Sequence, residues 1–164
     1  MRALLVLGLL LLAGCTNGSS LSDNVLTTKD LGSGFTYAAT DDEDFGFFFS
    51  VLNMTSNPGR ANPDVFADET GYNITALYVA ILQHNGTDQA VFSAALEFRT
   101  EADLEAFLRE EGCGDDPDAD FKQLRDGRIL SLHDADEVEA DIQLAFERGI
   151  DRVQDRTGAT PACS

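Results

Sequence analysis

Apolar residues in the middle of this chain form three runs, which predict the strands of a sheet. The runs are residues 45–53 (FGFFFSVLN), 73–84 (NITALYVAILQH) and 89–99 (QAVFSAALEFR). Short runs rich in aromatic and β-branched residues, bounded by Gly, Asn or Asp, are typical of buried strands. The dipeptide Asn85-Gly86, which hairpin turns favour, lies between the last two runs, so we expect these two strands to pair antiparallel.

Helical periodicity marks two later segments. Thr100 and Asp103 stand at the spacing of a capping box, and Gly112 should end the helix that they begin. The pair Asp134 and Glu137 predicts the start of a second, longer helix in the same way. Its apolar stripe recurs at the helical period and consists of Val138, Ile142, Ala145, Phe146, Gly149, Ile150 and Val153.

The order of these elements predicts an α+β fold. Residues 121–132 (FKQLRDGRILSL) alternate around Asp126-Gly127, which indicates a second hairpin between the two helices. We therefore expect an antiparallel sheet with two helices packed on one face, the last being a long C-terminal amphipathic helix. Residues 54–71 hold two Asn-Pro steps and should form a loop. A loop of this length is either functional, and so the first place to seek a ligand site, or a solvated insertion.

The first 20 residues differ in character from the rest. Met1-Arg2 precedes an apolar run over residues 3–13, about half the length that spans a bilayer. One positive charge, a short apolar segment and small residues at its end describe a secretory signal peptide. Leu12-Ala13-Gly14-Cys15, followed by small polar residues, resembles the lipobox of prokaryotic lipoproteins.

This resemblance implies a lipid anchor. In prokaryotic lipoproteins the cysteine receives a diacylglyceryl group and the chain is cut just before it. Carried over, residues 1–14 are the signal peptide, residues 15–22 a tether lipidated on Cys15, and residues 23–164 a single α+β domain. The protein would then be held at the cell membrane, facing outside the cytoplasm. The alternative is an ordinary signal peptide with a chance cysteine.

The net charge of −18 restricts the partners of the chain. A surface this acidic repels phosphate, which argues against binding to nucleic acid. It also repels an anionic membrane surface, so membrane attachment would depend on the lipid. Lysine occurs only at Lys29 and Lys122. Such acidity with little lysine favours a protein from a halophile, because 1 M salt shortens the Debye length to about 3 Å. A cation-binding role is the alternative.

Lipidation of Cys15 would leave Cys113 and Cys163 as a pair. An even number of cysteines in an exported chain favours a disulfide, which here would enclose the second hairpin and the long helix. The alternative is a reactive Cys113 thiol. No cation or histidine stands beside Cys113 in the sequence to favour a thiolate.

Two further kinds of modification or ligand site are suggested by short motifs. Four Asn-x-Ser/Thr sequons are acceptors if the organism glycosylates exported proteins, which would make this a surface glycoprotein; they are Asn17, Asn53, Asn73 and Asn85. The alternating residues Asp116, Asp118 and Asp120 are similar to the first half of an EF-hand loop. Phe121 and Gly127 replace the glycine and glutamate that this loop needs, so a looser calcium site or a solvated acidic stretch remains.

Catalytic motifs are missing from the sequence. His84 and His133 are its two histidines, and it contains no Cys-x-x-Cys or Gly-x-Ser-x-Gly. We therefore expect no cofactor and a non-enzymatic domain that binds a small solute or an envelope protein, or that supports the envelope structurally. The alternatives are an extracytoplasmic enzyme using His84 or His133, and an accessory subunit of a membrane complex.

Overall fold

The computed structural model describes residues 19–65, 67, 71–110, 121–135 and 138–162. Several predicted sites lie outside these residues, namely Cys15, Asn17, Cys113, Asp116, Asp118, Asp120 and Cys163. The lipid anchor, the disulfide and the calcium site therefore stay predictions.

Seven strands and four α-helices are present in the described residues. The helices are α1 (Thr28–Leu31), α2 (Gly46–Val51), α3 (Glu101–Glu110) and α4 (Ala140–Thr157), and a 3₁₀ turn at Leu21–Asn24 precedes them. The strands are β1 (Phe35–Tyr37), β2 (Gly59–Ala61), β3 (Ile74–His84), β4 (Ala90–Phe98), β5 (Phe121–Asp126), β6 (Ile129–Asp134) and β7 (Thr160–Pro161). They form one antiparallel sheet in the order β1-β3-β4-β6-β5-β7, with β2 also paired to β3. The predicted α+β class is confirmed.

Both predicted hairpins are confirmed. Asn85-Gly86 lies in the turn between β3 and β4, where Gly86 has a φ of 81°. Gly127 has a φ of 57° in the turn between β5 and β6. Glycine adopts a positive φ without the steric cost that a side chain would add, so these residues fix where the strands reverse.

The sheet carries an apolar layer on each of its two faces. Successive side chains of a strand point to opposite faces. In β4, Val91 and Ala95 belong to one buried cluster, whereas Leu96 and Phe98 belong to another. We call the first side the α4 face, because the apolar stripe of α4 packs there, and the second side the α3 face.

The position of the helices differs from the sequence-based expectation in one respect. We expected both on one face, but Leu104 and Leu108 of α3 pack in the cluster opposite to that of α4. The reason is that β3 and β4 are apolar on both sides, so each face needs a cover. Amphipathic periodicity identifies which side of a helix is buried, but not which side of the sheet receives it.

The buried stripe of α4 is confirmed, but its predicted start is wrong. Asp134 does not cap the helix, because it continues β6 and pairs with Phe92 of β4. The helix begins at Ala140 and ends at Thr157. Gly158 caps it in a left-handed conformation and donates its N–H to the carbonyl oxygen of Gln154. The capping box of α3 is confirmed, since the side chains of Thr100 and Asp103 bond to each other's backbone N–H groups.

The run at residues 45–53 forms helix α2 and not the predicted strand. Phe45 and Phe49, four residues apart, are buried, while Phe47 and Phe48 are exposed. This is the period of a helix and not of a strand. The edge of β3 that a further strand would need is already paired with β1 and β2.

Arg156 of α4 fastens the N-terminal segment to the domain. Its guanidinium pairs with the buried carboxylate of Asp30 at 2.6 Å and donates to the carbonyl oxygens of Asp23, at 2.8 Å, and Val25, at 2.6 Å. One turn earlier, Arg152 donates to the carbonyl oxygen of Asp30 at 2.6 Å. A planar guanidinium with several donors suits such a contact better than a lysine does.

Gly149 allows the same segment to approach α4 closely. A Cβ at this position would lie 2.8 Å from a methyl group of Leu26 and 2.9 Å from one of Leu31. A side chain at this position would therefore force the buried side chains of Leu26 and Leu31 to shift. Gly149 belongs to the apolar stripe because the stripe needs a gap there, and not because glycine supplies apolar surface.

We predict that Phe146→Ala lowers the free energy of unfolding by about 3–5 kcal/mol, because a fully buried ring is lost from the α4 face. Urea unfolding at constant salt measures it. The matched control is Leu144→Ala on the same helix, where the side chain is 47% exposed and the change should stay within about 0.5 kcal/mol. Equal effects of the two substitutions would contradict the assignment of the buried face.

Candidate functional site: an apolar groove

An apolar groove of about 480 Å³ lies between α2 and the α3 face of the sheet. Its floor includes Val79, Ala94 and Leu132, which stand side by side across β3, β4 and β6. Ala94 has the smallest side chain of this row, which leaves space above its centre. The volume lies within the range of about 300–1,000 Å³ that is typical of small-molecule sites.

Helix α2 forms the wall of the groove and leaves large apolar side chains in solvent. Phe47 is 74% exposed, and Phe48 and Val51 are each 46% exposed. All three line the groove. Exposed apolar residues are ordinary when scattered, but a contiguous group beside a cavity is typical of a binding surface.

Phenylalanine rings are grouped along one side of the groove. The rings of Phe48 and Phe92 are 5.7 Å apart between centroids and tilted by 57°. Phe45 meets Phe92 edge to face at 6.0 Å, and Phe47 meets Phe48 at 6.1 Å. Because these rings are mutually inclined, the group offers both ring faces and ring edges to a ligand.

Asp134 brings a carboxylate into this apolar lining. It pairs with Phe92 across β4 and β6, and both residues line the groove. Directly opposed residues of antiparallel strands have their Cβ atoms about 4.5–5.5 Å apart on the same face of the sheet. A half-buried acidic group therefore stands beside an aromatic ring of the cluster.

The segment that leads into α2 is also acidic. Residues 41–44 (DDED) lie immediately before Phe45, and Asp41, Glu43 and Asp44 are exposed. The described residues that line the groove include no lysine or arginine. Asp134 in the lining and the segment before α2 therefore both bring acidic groups to this part of the protein.

His133 lies outside the groove and is fully buried on the α4 face. Its Nδ1 is 2.8 Å from the hydroxyl oxygen of Ser93, which accepts the backbone N–H of Leu26 at 2.8 Å. Burial lowers the pKa of His133 to about 3, the cation of Arg156 adds to the lowering, and Asp30 acts against it. The imidazole is therefore neutral at ordinary pH and closed to substrates, and its contacts are those of a structural residue.

His84 is not brought close to His133. It ends β3, where its half-buried ring meets Phe35 edge to face at 5.1 Å. The sheet register places the two histidines two strands and four residues apart, roughly 16 Å between Cα atoms. In the described part of the chain, no group of three or more His, Cys, Asp or Glu side chains could hold a metal ion.

The loop at residues 54–71, expected as the first place for a ligand site, lies elsewhere. Its Asn57 covers the edge of β3 by bonding to the carbonyl oxygens of Ala38 and Ile81 and accepting the N–H of Ile81. It also supplies strand β2. None of its described residues lines the groove.

The three described sequon asparagines, Asn53, Asn73 and Asn85, are all exposed. They are therefore accessible as acceptors, while their occupancy stays a prediction. Among the described residues, no helix has the length and apolar character needed to cross a membrane.

The groove itself was missed by the sequence analysis. Its signal is present in residues 45–51: the apolar residues there are too many for one face of a helix, so some must be exposed if the segment is helical. We found no protein-family model, no curated protein and no solved structure that matches this chain. The functional proposal therefore rests on the groove, the charge and the lipobox resemblance.

We predict that His133 makes the domain less stable as the pH falls. The folded chain keeps this imidazole neutral down to about pH 3, whereas an unfolded chain protonates it near 6.5. The unfolded state therefore binds more protons between these values, and the free energy of unfolding should drop by about 2 kcal/mol from pH 7 to pH 5. Unfolding of the parent and of His133→Gln at both pH values separates this effect from that of the carboxylates. Parallel pH profiles would contradict it.

Proposed function

We propose that this protein is a membrane-anchored, exported domain that binds a small apolar solute in the groove between α2 and the sheet. The observation that carries the proposal is the groove, which combines a ligand-sized volume with exposed aromatic residues on its wall. A stable domain gains nothing from leaving Phe47, Phe48 and Val51 in water, whereas a ligand could cover them.

The anchor is the second part of the proposal. It is supported by the resemblance of Leu12-Ala13-Gly14-Cys15 to a lipobox. Ser19 bonds to Asp126, and only three residues separate it from Cys15. These can span at most about 14 Å. The domain would therefore lie next to the membrane, where a short tether and an acidic surface leave the covalent lipid as the means of attachment.

Binding of a solute without catalysis is favoured over the use of a histidine. His133 is sealed between the sheet and α4, and His84 lies at the turn beside β1, away from the groove. A general base has to come within hydrogen-bond distance of its substrate. Neither imidazole lines the groove, whose lining residues are apolar apart from Ser93 and Asp134.

The groove is tested with Nile red, an uncharged dye that fluoresces in apolar surroundings. The mature domain should bind it saturably at one site, in salt that keeps the native circular dichroism. Ala94→Phe should abolish the binding, since it fills the floor of the groove, and Phe48→Ser should weaken it about tenfold by removing apolar surface. The control Leu144→Ser removes an exposed apolar residue outside the groove and should change nothing.

If the fluorescence does not saturate, or if Leu144→Ser weakens dye binding as much as Phe48→Ser does, the dye reports general apolar surface and not the groove. Circular dichroism of Ala94→Phe separates a filled groove from a misfolded domain. If Ala94→Phe fails to fold, the loss of dye binding in Phe48→Ser, at the exposed wall, is sufficient to test the groove.

The anchor is tested with Cys15→Ser. The parent protein should partition with membranes and carry lipid on its first mature residue, as shown by mass spectrometry. Cys15→Ser should stay unprocessed or be released, because the thiol that receives the lipid is absent. Unchanged processing and membrane retention of the variant would contradict the lipobox interpretation.

A further inference from the structure

We propose that the ligand of the groove is a small organic cation with a quaternary ammonium group and an apolar substituent. This inference rests on the proposed function, since it names the chemical class of the solute. It goes further because an apolar cavity alone would accept neutral molecules equally well. The geometry that points to a cation is the cross-strand pair of Phe92 and Asp134 beside the ring of Phe48.

Aromatic rings supply the first attraction. A quaternary ammonium carries its charge over methyl groups, so it can enter an apolar site with a smaller loss of hydration than a primary amine suffers. The face of a phenylalanine ring attracts such a cation within about 6 Å of its centroid. Phe48 and Phe92 are in contact and inclined to each other by 57°, so a cation on the groove side of the pair lies near more than one ring.

The carboxylate of Asp134 supplies the second attraction. It stands next to Phe92 on the same face of the sheet, so a cation held at the ring is also close to the acidic group. Apart from Ser93, the remaining lining residues are apolar, with Val79, Ala94 and Leu132 on the floor. The groove therefore has one charged end and one apolar end, which matches an ammonium group bearing an alkyl or aryl substituent.

The wider charge of the protein acts in the same direction. The chain carries a net charge of −18, and residues 41–44 add acidic groups just before α2. An anionic ligand would be repelled by this field, whereas a cation would be attracted. Long-range attraction alone does not select the groove, so the experiment has to separate it from the local contacts.

The test compares two molecules of the same shape. N-benzyl-N,N-dimethylethanolammonium has a quaternary nitrogen, and 3,3-dimethyl-4-phenylbutan-1-ol has a carbon in its place. Their affinities are measured by displacement of Nile red and by chemical shifts of the phenylalanine rings, at one salt concentration. We expect the cation to bind the parent domain about tenfold more tightly than the alcohol. Equal affinities would overturn the inference and leave the proposed function intact.

Three variants locate the effect. Asp134→Asn should reduce the preference for the cation severalfold and leave the affinity for the alcohol unchanged. Phe48→Leu keeps the wall apolar but removes a ring, and it should also reduce the preference. Glu139→Gln is the matched control, because it removes one exposed negative charge that does not line the groove. Its preference for the cation should equal that of the parent.

The remaining outcomes are also decisive. A preference that persists in both Asp134→Asn and Phe48→Leu, or that falls equally in Glu139→Gln, would assign it to the general acidity of the protein and overturn the inference. Failure of both molecules and of Nile red to bind would instead contradict the proposed function. If Asp134→Asn does not fold, the preference for the cation measured in Phe48→Leu, at the exposed wall, still tests the inference.

Discussion

Both faces of the central strands β3 and β4 are apolar, so the sheet has to be covered twice. The two covers are unequal. On the α4 face, a helix of 18 residues packs together with the N-terminal segment. On the α3 face, the cover consists of α3 with 10 residues and α2 with 6 residues. The groove lies where the short helix α2 leaves this second cover incomplete, so the candidate site is a consequence of how the sheet is enclosed.

The closed side of the sheet is held by polar contacts as well as by packing. Arg156 satisfies the carboxylate of Asp30 and two carbonyl oxygens of the segment that precedes α1. Without these contacts, the buried carboxylate of Asp30 would keep only the bonds that Thr27 donates to its other oxygen and would lose its cationic partner, which costs more than the net strength of one bond. The same contacts fix the position of the segment from which the proposed tether would depart.

Much of the fold could be predicted because its signals are local. Asn85-Gly86 and Asp126-Gly127 reverse the chain by the backbone freedom of glycine, and the stripe of α4 repeats at the helical period from Ile142 to Val153. The face that each helix covers depends on contacts between distant segments, and local patterns hold no information about these. The strand prediction for residues 45–53 was wrong for a related reason. Helix α2 has only six residues, too few to show a clear helical period, and its three phenylalanines favour a strand.

The candidate site was harder to predict because its parts come from three distant segments. Phe48 belongs to α2, Phe92 to β4 and Asp134 to β6. The sheet register brings Phe92 and Asp134 together, and the packing of α2 on the sheet adds Phe48. The sequence predicts Asp134 to be a helix cap, since an acidic residue before an amphipathic stripe is a strong capping signal. In the structure it ends a strand instead, and its side chain enters an apolar lining.

The salt concentration determines which charged groups can contribute to the selection of a ligand. If the acidity of the surface reflects high external salt, attraction over more than a few ångströms is screened, since the Debye length is about 3 Å at 1 M. Charges that are partly enclosed are screened much less. Asp134 is half-buried beside Phe92, whereas the carboxylates of residues 41, 43 and 44 are exposed. Under such conditions the exposed carboxylates chiefly maintain solubility, and discrimination between a cation and a neutral molecule falls to the enclosed carboxylate and the rings beside it.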